Sequence, residues 1–206
     1  MNFSNSSGLS NTVSYFIQNC QELESIEIDL SNISNTHYIT ICNMPNLKNV
    51  TYNLTNLKNT GYTFNLYNIG SNCTDITMDM ANLQVTNYIF EVTYCYGLVN
   101  LNLNIGKKLT NIYNWRFANL PNLSNIYLDW TNIGNVYISY NLNFFNCKNL
   151  SDTTIDNIMG MVANASYYHS SYKKINGRLF NNCDFSVERL QNLANYNNLI
   201  SAGWTY

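Results

Sequence analysis

Residues Asn119–Trp130 read NLPNLSNIYLDW, in a chain of 206 residues where about one residue in five is Asn. As low-complexity filler this stretch would specify nothing, whereas as one copy of a counted unit it fixes an architecture. The segment LSNIYLDW, from Leu123, shares a frame with LESIEIDL from Leu23, LKNVTYNL from Leu47, CTDITMDM from Cys73 and LVNLNLNI from Leu98. Each runs apolar, x, polar, apolar, x, apolar, x, apolar. The first positions lie 24, 26, 25 and 25 residues apart, and a degenerate sixth copy begins at Leu150.

Within the frame the alternation has period two, which sends Ile26, Ile28 and Leu30 to one side and Glu27 and Asp29 to the other. That is a strand. One strand per repeat predicts a mainly β repeat solenoid, leucine-rich-repeat-like, with about 25 residues per coil and five to six coils, neighbouring strands about 4.8 Å apart. A second half of each coil, richer in aromatics (HYITI, GYTFNL, NYIFEV, NIYNWRF, NVYISYNLNFF), again favours strand, so both long sides are expected to be sheet.

Polar residues fall into the same register. Ser25, Asn49, Asp75, Asn100, Asn125 and Asp152 form a column of short side chains where the chain turns into the strand, read as a hydrogen-bond ladder holding turns. The column Cys20, Met44, Gly70, Cys95, Leu120 and Cys147 stands three residues before the leading position, and Cys73 occupies a leading place. Buried thiols are therefore expected rather than disulfides, and without C-x-x-C no metal cluster has a starting point. Sequons at Asn32, Asn49, Asn53 and Asn72 are what an Asn- and Thr-rich composition generates.

The pattern changes after Asn149. In LSDTTIDNIMGMVANAS, Ser151 or Asp152 can cap a helix whose Ile155, Ile158, Met159 and Val162 recur at helical spacing. A polar link, YYHSSY, leads to a strand in KKINGRLF; Ser186 then caps a second helix with Val187, Leu190, Leu193 and Ala194 inward. The chain reads as one repeat domain over 1–206, with an N-terminal edge at 1–18, coils at 19–150 and a helix-strand-helix-strand cap at 151–206 that covers the last open edge.

The L-x-x-I-x-I frame, together with IGNVYISYNLNFFNCKNL and the tail NLSDTTIDNIMGMVANAS through SAGWTY, resembles the BspA-like leucine-rich-repeat family of bacterial surface and phage-associated proteins. The likeness spans residues 15 to 206; the family's usual proline and Ala-Phe pair are mostly replaced here by Asn, Tyr and Thr. It implies a non-enzymatic surface that binds proteins, glycans or cells, and carries no catalytic residues over.

Composition narrows function by exclusion. Apolar residues make up 46 % but charged ones only 11 %, and the net charge of -2 gives no field to gather nucleic acid. No apolar run is long enough for a membrane span, and MNFSNSSGLSNTVSYF lacks the layout of a secretory signal peptide. His37 and His169 are the two histidines, and no nucleophile elbow, zinc-protease motif or phosphate loop accompanies either. A cysteine–histidine hydrolase stays open only as neighbours in space. No cofactor is expected.

Two surfaces compete as the binding face. On the repeated strand the outward columns are Glu27, Thr51, Thr77, Asn102, Tyr127 and, two residues on, Asp29, Asn53, Asp79, Asn104, Asp129. With Tyr127, the second column offers carboxylate and amide oxygens to a hard cation or to sugar hydroxyls, against the plainer reading of a solvated face. The aromatic half offers Tyr62, Tyr88, Tyr113, Trp115, Tyr137 and Tyr140 for stacking. The functional expectation is a recognition module of a surface-exposed, extracellular or virion protein that binds glycan or protein on a cell surface. The alternative is a structural spacer or assembly element docking through its N-terminal coil.

Overall fold

Each repeat closes into one flattened coil of two strands and two four-residue turns, seen in a computed structural model that describes residues 13–128 and 136–206. The repeated strands are β2 (Ser25–Asp29), β4 (Asn49–Asn53), β6 (Asp75–Met80), β8 (Asn100–Ile105) and β10 (Asn125–Tyr127). They form a parallel sheet in that order, with Ile26, Val50, Ile76, Leu101 and Ile126 in register. The aromatic halves are β1 (Val13–Gln18), β3 (Asn35–Met44), β5 (Asn59–Ile69), β7 (Val85–Thr93), β9 (Asn111–Ala118) and β11 (Tyr137–Phe145), and they make a second, longer parallel sheet. The molecule is a parallel β-solenoid of about five turns and roughly 25 residues per turn. β1 lies inside the stretch expected as a terminal edge and pairs β3 as a full member of the longer sheet.

Backbone conformation explains the corners. The chain leaves the longer sheet through a residue of positive φ, at Asn19, Asn43, Asn68, Tyr94, Asn119, Asn146 and Asn182, all between 54° and 59°. Asn tolerates the left-handed region better than other side chains with a Cβ. Its amide also ties coils together: Asn43 donates to Asn19 Oδ1 at 3.0 Å, Asn68 to Asn43 at 2.8 Å and Asn146 to Asn119 at 3.0 Å. A turn follows, closed by the amides of Leu23, Leu47, Cys73, Leu98 and Leu123. The second corner is a matching turn, closed by Ile33 on Leu30, Leu57 on Leu54 and Leu83 on Met80. At most of these corners a buried apolar residue stands at each end of the turn, the exceptions being the half-buried Cys20 and Leu23 of the first coil and Gly70, and this is why the frame begins and ends on an apolar residue.

The apolar place after each left-handed residue holds Cys20, Met44, Ile69, Cys95, Leu120, Cys147 and Cys183. Gly70 was expected in this column, but the turn NIGSNC carries one extra residue and Ile69 fills the place instead. Cysteine suits it because the thiol can donate to the carbonyl two residues back, as Cys95 does to Thr93 at 3.4 Å and Cys147 to Phe145 at 3.5 Å. All six thiols are free, and all but Cys20 are buried. Burial pushes Cys73 and Cys183 up to about 11 and Cys95 to about 12.

Inside, facing strands supply an aromatic column through the core. Tyr52, Phe64, Phe90, Phe117, Phe144 and Phe180 follow one another, with centroids 4.9 Å apart for Phe64–Phe90 and 5.0 Å for Phe117–Phe144. From Asp75 onward the polar column forms a ladder, through side-chain bonds between coils where bonds to backbone groups were expected: Asn100 donates to Asp75 at 2.8 Å and Asn125 to Asn100 at 2.9 Å. Its last rung is Ser151, whose hydroxyl meets Asn125 at 3.2 Å, while Asp152 turns into the helix and pairs with Arg189.

The cap opens with α1 (Asp152–Ala163), N-capped by Ser151 on Thr154 N and burying Ile155, Ile158, Met159 and Val162. β12 (Tyr167–Tyr168) and β13 (Phe180–Asn181) both pair β11, so the expected polar link at Tyr167 is partly strand. RLFNNCDF repeats the corner chemistry of NFFNCKN, with Phe180 opposite Phe144 and Cys183 beneath it. The second helix is shorter than its pattern suggested. α2 (Val187–Gln191) buries only Leu190, and Val187, at its first position, and Ala194, beyond its end, both expected inward, are exposed. α3 (Tyr196–Ser201) packs on α1 in place of a terminal strand, leaving Thr205 in an isolated bridge to Lys174. No described helix is long and apolar enough to cross a membrane.

Candidate functional site

The outer face of the shorter sheet carries the expected columns in register: Glu27, Thr51, Thr77, Asn102 and Tyr127, beside Asp29, Asn53, Asp79 and Asn104. Asp129, the next member, lies outside the described residues, as does Trp130. The second column is largely engaged within the chain. Asp29 accepts from Ser31 N at 3.0 Å, Asn53 from Thr55 N at 3.4 Å, and Asp79 from Asn104 Nδ2 at 2.8 Å. Hydrogen bonds from Ser31 hold the Asp29 carboxyl below its ordinary range, and Thr74 and Asn100 do the same for Asp75. These carboxylates close turns and link coils. Among the described residues, no group of three or more His, Cys, Asp and Glu side chains is placed to hold a metal ion. Tyr127 is more than half exposed on this face.

The longer sheet presents a different surface. Along its outer face run Phe16, Tyr38, Tyr62, Tyr88, Tyr113, Tyr140 and Tyr172, one ring per coil, with successive centroids 6.0, 5.8, 6.3, 5.4, 5.6 and 5.9 Å apart. Five of the seven are exposed and the other two, Tyr113 and Tyr172, are half-buried. A parallel sheet dictates the spacing, since each coil repeats the previous one about 4.8 Å on. Offset rings at this distance stack favourably. The guanidinium of Arg178 closes the cap end, 4.8 Å from the Tyr172 ring. A short parallel pair, Tyr137 and Tyr167 at 4.5 Å, lies near the same end.

Of the aromatics expected on this face, Tyr62, Tyr88, Tyr137 and Tyr140 are exposed, and Trp115 is not. Trp115 occupies the inward register beside Phe90, and its indole N–H is satisfied by Thr86 Oγ1 at 3.2 Å. Phe16, Tyr38 and Tyr172 complete the stripe and had not been singled out. Their signal was an aromatic residue one repeat before Tyr62 and after Tyr140, masked by different spacing at the two ends.

That spacing varies because the sheet is bulged. Between Thr36 and Tyr38 of β3 there is one residue, His37, but β5 and β7 each place two there, Gly61–Tyr62 and Asn87–Tyr88. β9 returns to one, Tyr113. β11 again places two, Ser139–Tyr140, so β5, β7 and β11 carry an extra residue, β5 and β7 side by side, and bulges re-aim side chains. Gly61 is required on steric grounds, since a Cβ there would come within 2.0 Å of the Thr36 carbonyl oxygen.

The histidines are apart from one another. His37 is exposed and sits edge-on to Tyr62 with centroids 5.2 Å apart, while His169 is in the cap, its Nδ1 2.9 Å from Ser171 Oγ. No hydrogen bond joins either to a cysteine among the described residues. Compared with known proteins, the chain matches no family model, no curated protein and no solved structure.

Proposed function

We propose that the chain is a non-enzymatic recognition module that binds its partner through the aromatic face of the longer sheet. The observation that carries this reading is the seven-ring stripe. Tyrosine combines apolar area, a polar tip and few rotatable bonds, the combination favoured in recognition surfaces. A stripe held by a rigid sheet loses little entropy on binding. The acidic face is less suited, because Asp29, Asn53, Asp79 and Asn104 already spend hydrogen bonds inside the chain. Burial keeps Cys73, Cys95 and Cys183 protonated at neutral pH, which speaks against a thiolate nucleophile. The resemblance to BspA-like surface repeats supports placing the module on a bacterial surface or virion, with a protein or glycan of another cell as partner.

The test is binding of the fluorescently labelled chain to panels of intact bacterial and animal cells. Replacing Tyr62, Tyr113 and Tyr140 together by Ala should abolish binding, and replacing Asp29 and Asp79 by Asn should leave it unchanged. The reading fails if no cell type is bound, or if binding survives the tyrosine triple and not the aspartate pair.

A further inference from the structure

The ring stripe is regular except at one step. Tyr38 and Tyr62 are within 13° of parallel, Tyr88 and Tyr113 within 7°, and Tyr113 and Tyr140 within 10°. Between Tyr62 and Tyr88 the centroids are 6.3 Å apart and the planes diverge by 55°. Each ring therefore has one face covered by a parallel neighbour and one opening into a wedge. The wedge falls where β5 and β7 both carry their extra residue, and a groove of about 440 Å³ lies there.

Asn35 is engaged within the chain, donating to Ser34 and accepting from Asn59, but other polar groups of the groove are not. Asn59 donates to Asn35 at 2.6 Å, but the next coil has Val85 in that column, so the Asn59 carbonyl oxygen has no amide above it. Asn87 and the His37 ring make no hydrogen bond among the described residues, unlike the corner asparagines that link coils elsewhere. None of the eight lining residues is Asp, Glu, Lys or Arg.

From this geometry we infer that the wedge between Tyr62 and Tyr88 is a subsite for one pyranose ring of an uncharged glycan. The apolar C–H face of the sugar lies on a tyrosine ring, and its hydroxyls exchange hydrogen bonds with Asn59, Asn87 and His37. Side-chain amides both donate and accept, as hydroxyls do, which suits a ligand whose polar groups have no fixed charge. An anionic sugar would find no Lys or Arg in the lining to offset its desolvation. The inference deepens the proposed function, since it names the ligand class of the aromatic face.

A printed array of neutral and sialylated oligosaccharides, probed with the full labelled chain, tests it, followed by titration of the responding neutral oligosaccharide. Binding to neutral glycans is expected, weakened about tenfold or more by Tyr88→Ala and by Asn87→Ala, and unchanged by Tyr127→Ala on the opposite sheet. Both substituted side chains are exposed, and an unchanged unfolding midpoint shows that the variants fold. Binding confined to sialylated glycans, or neutral-glycan binding that ignores Tyr88 and Asn87, overturns the subsite. An array that stays dark while cells are still bound through the tyrosine stripe overturns the sugar and leaves the recognition face standing. A dark array with no stripe-dependent cell binding removes both.

Discussion

Two aromatic columns run along the longer sheet, one on each side of it, and they share a repeat but not a purpose. The inner one, from Phe64 through Phe90 to Phe180 with Tyr52 of the facing sheet at its head, is buried, and five of its six members lack a polar tip. The outer one, from Phe16 to Tyr172, is wet and keeps a hydroxyl on six of its seven members. Ring stacking across coils is common to both. What separates them is the hydroxyl, useless in the dry column and needed on the wet one. Tyr52, the inner exception, leaves its hydroxyl without a hydrogen-bond partner among the described residues.

The comparison can be broken most forcefully from inside. Phe90→Ala should cost about 3–5 kcal/mol, read as a lower urea midpoint, because it removes a ring contacted from both neighbouring coils. Alkali should attack the same interior. Thiols of the unfolded chain ionise near their ordinary value of 9.0, whereas burial holds Cys73, Cys183 and Cys95 at about 11, 11 and 12. The unfolded state then sheds protons that the folded state keeps. Stability present below pH 9 should fall as pH rises toward 12, and thermal melts across that window check it.

Smaller effects sharpen the contrast. Asn119→Ala places a Cβ without a local polar partner at φ 55° and should cost about 1–2 kcal/mol, with Asn119→Gly recovering most of it. Tyr52→Phe should be neutral or stabilise by about 1 kcal/mol, since it deletes a buried hydroxyl with no partner. Tyr88→Ala on the outer column should change stability by less than about 1 kcal/mol in the same urea assay. A large loss there would mean that the outer stripe holds the fold and was not left free for a ligand.

Much of the fold was legible because it rests on period-two alternation and a fixed step. Leu120, Leu123, Ile126 and Leu128 are buried, Asn125 is a rung and Tyr127 points outward, all as the repeat frame required. The left-handed column was hidden, although Asn19, Asn43, Asn68, Asn119 and Asn146 recur with the repeat. With Asn so frequent, one more asparagine per coil carried little signal. The candidate face was half legible. Which aromatics escape burial depends on the bulge, and a one-residue difference between β3 and β5 moves a side chain to the other face. In β9, Tyr113 and Asn114 both stand between the inward Ile112 and Trp115, so Tyr113 and Trp115 differ in burial although they are two residues apart. The wedge at Tyr62 and Tyr88 depends on ring tilt, on which sequence spacing is silent.

The pairing order has a kinetic meaning as well. Strand pairs within the coils join only neighbours one repeat apart, so no contact waits on the distant end of the chain. Each coil is added by closing a loop of about 25 residues onto a finished edge, a cost that is the same at every step. Growth from any formed pair of coils is then a zipper, which α1 and α3 terminate at the C-terminal side. Amide hydrogen exchange should show the longest protection in β5, β7 and β9, which are paired on both sides, and less in β1, which pairs only β3 among the described residues.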